Sequence, residues 1–538
     1  MMSDEVNRLI KKRLKNLKPM LYQAIAPTIV ATLIFFLTYY FLGAENTVLD
    51  PIVTLAFLRF RTMQYRYESM IRTFAVFFAM ALVSYFAVMN LPLCIILNAA
   101  ALFWIAYVHI DEYHPDNYFP AGMALIFFQV SPATNPLELG NRMLALLGAF
   151  VIVLVCIFIL TKIRRRTDPL PEYIREGFEN CRRQLDLCEA YQNAAGGDPS
   201  ASETESYKEL SVLRQELVEI NKKCSDVIYA YNRASIRPKG KTNWYCRFIL
   251  CFQVINYLTM YFKEEQNLAE AKKLYRDFLE LFETAKPKAD YRRLHLRLRK
   301  PDIRSFRLRF ALRQMITLTP CLAFALISGI PNIYWVVISV FFMMIPFTNH
   351  TLERIRQRVL GTVGGVLVCL LLFTIFDGFA ARVVIMVIAN FCLYGSTGYA
   401  FTVAYITCAA MALPTLNDPM HMMLLYRVLY TLVGAGIALL ANLFIFPIRL
   451  QRQIEYVSEM IEGLHREMTE NSTLDRSADS KSERAVDQLV LRSFLLINRL
   501  ETMCDALPLD ELTFEYRSFE KKHMFIMEQY LTRQFLKN

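Results

Sequence analysis

Charge is what this chain lacks, and it lacks it in long blocks. Over 20–44, 73–110, 117–137, 143–161, 314–352, 359–376, 383–417 and 428–448 there is no Lys, Arg, Asp or Glu. Water-exposed helix faces need charge, whereas each of these runs has the length of one bilayer crossing of about 20 residues, or of two joined by a turn. The twelve cysteines contain no CxxC pair, which removes the common zinc and redox patterns and leaves a reduced, structural role. No Walker lysine accompanies the glycines and no nucleophile stands beside a base, so neither nucleotide binding nor enzyme activity is expected. Neither a cofactor nor a metal is expected; HIDEYHPD at 109–116 reads as a solvated loop, with a proton relay or a metal as lesser readings.

The remaining pattern is that of an all-α polytopic membrane protein. Turns at Asn90-Leu91-Pro92, at 329–332 and at 395–398 divide the longer runs. Six helices per block result, near 22–42, 49–61, 73–90, 93–110, 118–132 and 142–162, then 309–329, 333–348, 358–376, 381–395, 398–414 and 425–447. Positive charge precedes the first helix (Lys11 to Lys18), follows the second (Arg59 to Arg72) and follows the sixth (Lys162 to Arg166), whereas the intervening turns lack it. By the positive-inside rule both termini and the middle segment are cytoplasmic. The first apolar run is long and has no small-residue cleavage site, so it reads as a retained helix.

A shift of about 285 residues brings polar landmarks of the two halves into register. Arg72 meets Arg358, Arg142 meets Arg427, and the Pro-bracketed 131–136 meets 413–419. With an even number of helices per copy, the repeats share one orientation and are related by an axis along the membrane normal. The expected architecture is two tandem repeats, each of about six transmembrane helices followed by a cytoplasmic helical bundle. The divisions are a basic tail at 1–19, membrane block 1 at 20–163, cytoplasmic domain 1 at 164–306, membrane block 2 at 307–448 and cytoplasmic domain 2 at 449–538. Helical spacing such as Leu210, Leu213, Leu217 and Ile220 marks the bundles. The basic stretch 291–313 leads into a membrane helix and reads as an anionic-lipid contact; nucleic acid is not an expected partner.

The run YWVVISVFFMMIPFTNHTLERIRQRVLGTVGGVL from Tyr334 resembles the signature of the fusaric acid resistance and aromatic acid exporter superfamily. There a tryptophan-bearing helix leads through a polar loop to an arginine-rich start and a glycine-rich helix. The first half departs from it, with Phe57-Leu58-Arg59-Phe60 and Ala75 at the matching places. The resemblance implies an inner-membrane exporter of small organic acids, often aromatic carboxylates, with protons as one energy source; plant malate channels share the broad superfamily.

Candidate residues follow from chemistry at depth. Arg72 and Arg358 offer planar forks for a carboxylate, against a competing role as positive-inside anchors. Arg142 and Arg427 lie where topology asks for no cation, and suit either an anion exit site or an ion pair with Glu138 or Asp418. Tyr334 and Trp335 suit ring stacking or an interfacial belt. Pro346 and Thr348 belong to a break of the kind that is tolerated at membrane depth where protein or a cavity satisfies the backbone. Gly361, Gly365 and Gly434 follow small-xxx-small spacing for close helix packing. Asp50, Asp111 and Glu112 are the marginal candidates for proton coupling. The reading is an exporter of small organic acids, with a passive organic-anion channel and a non-transporting membrane scaffold as alternatives. Protein partners would be a second copy of the chain or accessory efflux proteins.

Overall fold

The computed structural model describes residues 21–62, 66–110, 115–163, 169–194, 202–234, 242–262, 265–285, 304–346, 351–396, 398–417, 419–473 and scattered positions between 489 and 530. These are helical, without a strand among the described residues. Among the described residues, seven helices are long and apolar enough to cross a membrane. They are α1 (Leu21–Leu42), α3 (Arg66–Ala87), α4 (Leu91–His109), α6 (Pro136–Ile163), α11 (Phe306–Ile327), α13 (Thr351–Ile375) and α17 (Met420–Phe444). Shorter apolar helices lie between them: α2 (Leu49–Thr62), α5 (Phe119–Val130), α12 (Tyr334–Met343), α14 (Phe379–Gly395) and α15 (Tyr399–Met411), followed by the single turn α16 (Pro414–Asn417).

Local chemistry sets several ends. Asn90 Oδ1 accepts the Leu93 amide at 2.9 Å and Pro92 occupies the first turn, so α4 starts at the expected turn. Asn135 and Glu138 cap α6 reciprocally, Glu138 N donating to Asn135 Oδ1 at 2.9 Å and Asn135 Nδ2 to Glu138 Oε1 at 2.8 Å. That cap starts α6 at Pro136, six residues before the expected helix start at 142. α13 begins at Thr351, so Arg354, Arg356 and Arg358 ride on the helix itself rather than preceding it.

The expected second helix of block 2 ends early. α12 stops at Met343, and Met344 turns to φ −82°, ψ 99° ahead of Pro346. The carbonyls freed by this unwinding are met by protein donors. Tyr118 Oη donates to Met344 O at 3.1 Å, and Arg313 Nη2 donates to Ile345 O at 3.0 Å and Pro346 O at 2.7 Å. Irregular backbone in an apolar setting requires such partners. Here they come from just before α5 and from α11.

Contacts divide the chain into two compact units. One comprises Met1–Thr62, Met70–Arg164 and Pro301–Leu450; the other comprises Met63–Ser69, Arg165–Lys300 and Gln451–Asn538. In the first unit the two apolar blocks interlock, α4 packing along α11 and Gly122 of α5 lying under the Phe341 ring.

The second unit holds α7 (Leu170–Ala194), α8 (Ser202–Ala234), α9 (Thr242–Met260), α10 (Glu265–Thr284) and α18 (Leu450–Thr473). Phe178, Phe248 and Phe278 pack between α7, α9 and α10, and Phe178 meets Phe252 edge-on at 4.9 Å. All twelve cysteines are free. Burial pushes the thiols of Cys188 and Cys224 up to about 11 and about 12, which makes them poor nucleophiles. His465 of α18 and His523 stack with ring centroids 4.7 Å apart, both buried. Burial, with Lys522 adding to it, pushes the His465 ring down to about 4, and His523 is also held well below the usual range by burial and by His465.

Candidate anion-binding site

Three residues singled out by sequence come together on one side of α12. Trp335, Ser339 and Phe342 recur at helical spacing and share a face, with Trp335 and Phe342 about 10 Å apart along the axis. Arg427 of α17 lies over the Trp335 ring at 5.7 Å, and Arg358 of α13 over the Phe342 ring at 4.7 Å. The two arginines are 4% and 3% exposed. Arg358 Nη1 donates to Tyr399 Oη at 3.1 Å, and one turn before it Arg354 covers the Tyr399 ring at 3.5 Å. No carboxylate among the described residues pairs with either buried arginine.

Unused polar atoms accompany this pair. Arg358 Nε, Arg427 Nε, Ser339 Oγ and Thr362 Oγ1 are buried without a hydrogen-bond partner. Thr362 is one turn on from Arg358, and Ser339 stands midway between Trp335 and Phe342. Folded proteins leave few such atoms, and two uncompensated buried cations are costly. The arrangement can take an anion with two or more oxygens, presenting forked donors at one end and aromatic faces beside them.

The helices that carry the site are held by close approach at glycine. A Cβ on Gly365 would lie 2.7 Å from Ala404 O, and one on Gly361 would collide with Ala400 O, so α13 and α15 pack backbone to backbone. A Cβ on Gly434 would lie 2.6 Å from Ser339 Cβ, which draws α17 onto α12.

Other candidates are placed elsewhere. Arg142 on α6 is 2% exposed, and its fork is filled. Nε donates to Asn46 Oδ1 at 3.0 Å, Nη1 to Phe128 O at 3.1 Å, and Nη2 to Glu45 O at 3.4 Å and Ser131 O at 2.5 Å. Glu138 is engaged by Thr134 and Asn135, while Asp418 is outside the described residues. Arg72 on α3 and Tyr334 on α12 are half-buried. Pro346 supplies a carbonyl to Arg313; Thr348, Asp111 and Glu112 are outside the described residues. Asp50, read from sequence as marginal, is buried at the start of α2, where it accepts the Thr54 hydroxyl at 3.1 Å. Of the basic stretch, Arg304 is exposed and Arg309 half-buried, whereas Arg307 and Arg313 are buried, Arg307 over the Tyr107 ring at 4.3 Å.

Three buried arginines, Arg307, Arg313 and Arg382, are not among the candidate site residues of the sequence. Arg307 and Arg313 read as members of a basic run, and Arg382 enters no reading of the sequence. Arg382 lies over Phe373 at 3.8 Å and donates from Nη1 to Thr415 Oγ1 at 3.1 Å. The readable signal is an arginine with apolar residues three positions away on both sides, Phe310 and Ile316 around Arg313, Phe379 and Ile385 around Arg382.

Residues 320–441 match the sequence model described as fusaric acid resistance protein-like, a stretch that contains Trp335, Arg358 and Arg427. Inner membrane protein YccS of Escherichia coli (strain K12) is 27% identical over 143 residues, covering 26% of this chain and 20% of that protein. An uncharacterized protein of Haemophilus influenzae (strain ATCC 51907 / DSM 11121 / KW20 / Rd) is 28% identical over 153 residues, covering 28% of this chain and 21% of that protein. The matched stretch thus spans about a fifth of the length of these relatives. No solved structure matches the chain. The resemblance carried by the tryptophan helix and its arginine ladder holds: this is a multi-pass, all-helical membrane protein bearing a fusaric acid resistance protein-like region over residues 320–441.

Proposed function

We propose that the chain moves small organic anions, aromatic carboxylates in particular, outward across the inner membrane. The carboxylate would sit between Arg358 and Arg427, with the ring against Trp335 and Phe342. The observation that carries this reading is a pair of buried guanidiniums, each over an aromatic ring and neither paired with an acid among the described residues. An anion between them would offset the two buried charges and occupy the unused Nε atoms. Both termini and the second compact unit are assigned to the cytoplasm, and the two apolar blocks to a parallel duplication, on the charge pattern and landmarks of the sequence.

A passive channel for the same anions is the second reading. It is favoured by the cation-only surroundings of the site, since conduction needs an electropositive path and no coupling group. Asp50 separates the two readings, being a buried carboxyl in an apolar helix with a neutral hydroxyl as its hydrogen-bond partner. In the exporter it is the proton-carrying group; in the channel it is structural. Flux of labelled benzoate in proteoliposomes, with and without a pH gradient and with current recorded, distinguishes them. Uphill, gradient-dependent movement supports the exporter and downhill flux with current the channel. Absence of flux for a panel of carboxylates would leave the non-transporting scaffold.

A further inference from the structure

A second group of unused polar atoms lies outside the family-matched stretch, where α11 meets the far end of α17. Arg313 is fully buried. Its Nη2 serves the carbonyls of Ile345 and Pro346, but Nε and Nη1 are buried with no partner among the described residues. Gln314 beside it is also fully buried, with neither Nε2 nor Oε1 engaged.

The register of the two helices brings in a third side chain. Arg309 Nη1 reaches Pro447 O at 3.4 Å, and Met343, just before the carbonyls that Arg313 serves, packs with Ala438, one turn before Asn442. Arg313, one turn beyond Arg309, and Asn442, five residues before Pro447, therefore lie at similar depth. Asn442 is 1% exposed; its Nδ2 donates to Ala438 O at 2.9 Å, and its Oδ1 is unused. The nearby Tyr118 is neutral, its hydroxyl donating to Met344 O.

Physical accounting requires something here. A fully buried guanidinium without an acid costs several kcal/mol. An amide with four unmet hydrogen-bonding valences adds to that cost. Donors dominate, and their charge is positive, so the fitting ligand is an anion with several acceptor oxygens. Arg313 also holds the unwound end of α12, whose other end carries Trp335. A ligand on Arg313 is thereby linked through backbone to the central pair.

We propose that Arg313, Gln314 and Asn442 form a second carboxylate-binding site, separate from Arg358 and Arg427, where an organic acid is held before it reaches them. The proposal rests on the anion-transport reading above, which puts this end of α11 at the cytoplasm. Water is the competing occupant, because it too can satisfy an amide and a guanidinium.

The test is equilibrium binding of labelled benzoate to the purified full chain in nanodiscs, read as sites per chain. Two sites are expected. Gln314→Leu should weaken one of them at least tenfold, and Arg358→Ala the other. The Gln314 side chain makes no hydrogen bond among the described residues, so Gln314→Leu removes no hydrogen bond seen there; Arg313→Lys is the companion variant. One site in the wild type, lost in Arg358→Ala and unchanged in Gln314→Leu, would overturn the proposal and leave a water-filled recess. Two sites of which Arg358→Ala removes neither would overturn the central assignment instead. Absence of saturable binding would overturn both.

Discussion

Arg142 and Arg427 stand at matching places on α6 and α17, each buried, each about two turns into its helix, each followed six or seven residues later by a glycine. Around Arg142 the protein has closed: carbonyls of residues 45, 128 and 131 and the Asn46 amide fill the fork. Around Arg427 it has not; an indole lies beside the guanidinium, and Nε is left over among the described residues. The first arginine ties a turn to two helices. The second keeps its hydrogen-bonding capacity for something else. Burial alone therefore does not mark an anion site, whereas burial with unfilled donors does.

The largest expected effects come from reversing those roles. Arg358→Ala and Arg427→Ala should each lower benzoate flux roughly ten- to hundredfold with insertion unchanged, since a charged hydrogen bond contributes about 1.5–3 kcal/mol. Arg142→Ala should instead reduce yield and stability, by roughly 3 kcal/mol, because it strands buried carbonyls. Equal losses of flux per inserted molecule for Arg142→Ala and Arg427→Ala would erase the distinction. Arg358→Lys should recover only part of the flux, as an ammonium lacks the planar fork.

Smaller effects sharpen the comparison. Gly365→Val should destabilise the α13 and α15 pair by about 1–3 kcal/mol, because its side chain meets backbone that cannot yield; thermal stability in detergent reads this directly. Asp50→Asn should remove the dependence of flux on a pH gradient while leaving downhill flux. An unchanged gradient dependence would take the proton role away from Asp50.

The second compact unit provides a pH contrast. His465 and His523 are held neutral in the fold, below the unfolded value of about 6.5. The unfolded chain binds more protons in this window, so stability is fully present above about pH 6.5 and declines as pH falls toward 4. The loss should be on the order of 1–3 kcal/mol, and His465→Gln should flatten it. Denaturation followed by Trp244 fluorescence between pH 7 and 4 measures the slope.

Much of the fold is legible in residue types because the signal is coarse. A charge-free run fixes the apolar character of α4 or α17 without any partner being known. Helix ends are less readable where their cause is distant: the sequence predicts that α12 reaches 348, but its end is fixed by Tyr118 and Arg313, more than 200 and more than 30 residues away. The same reason hid the difference between Arg142 and Arg427, whose sequence surroundings look alike while the filling carbonyls come from Glu45 and Phe128. Trp335, Arg358 and Arg427 were legible as candidates because a buried cation or an aromatic at a helix start stands out in an apolar run. Arg313 did not stand out, since basic neighbours precede it.

The most direct test of the central claim is benzoate binding followed through Trp335 itself, in a full chain carrying Trp104→Phe and Trp244→Phe. The account predicts saturable quenching that disappears in Arg358→Ala and in Arg427→Ala and persists in Arg142→Lys. Quenching of unchanged affinity in both alanine variants would contradict it.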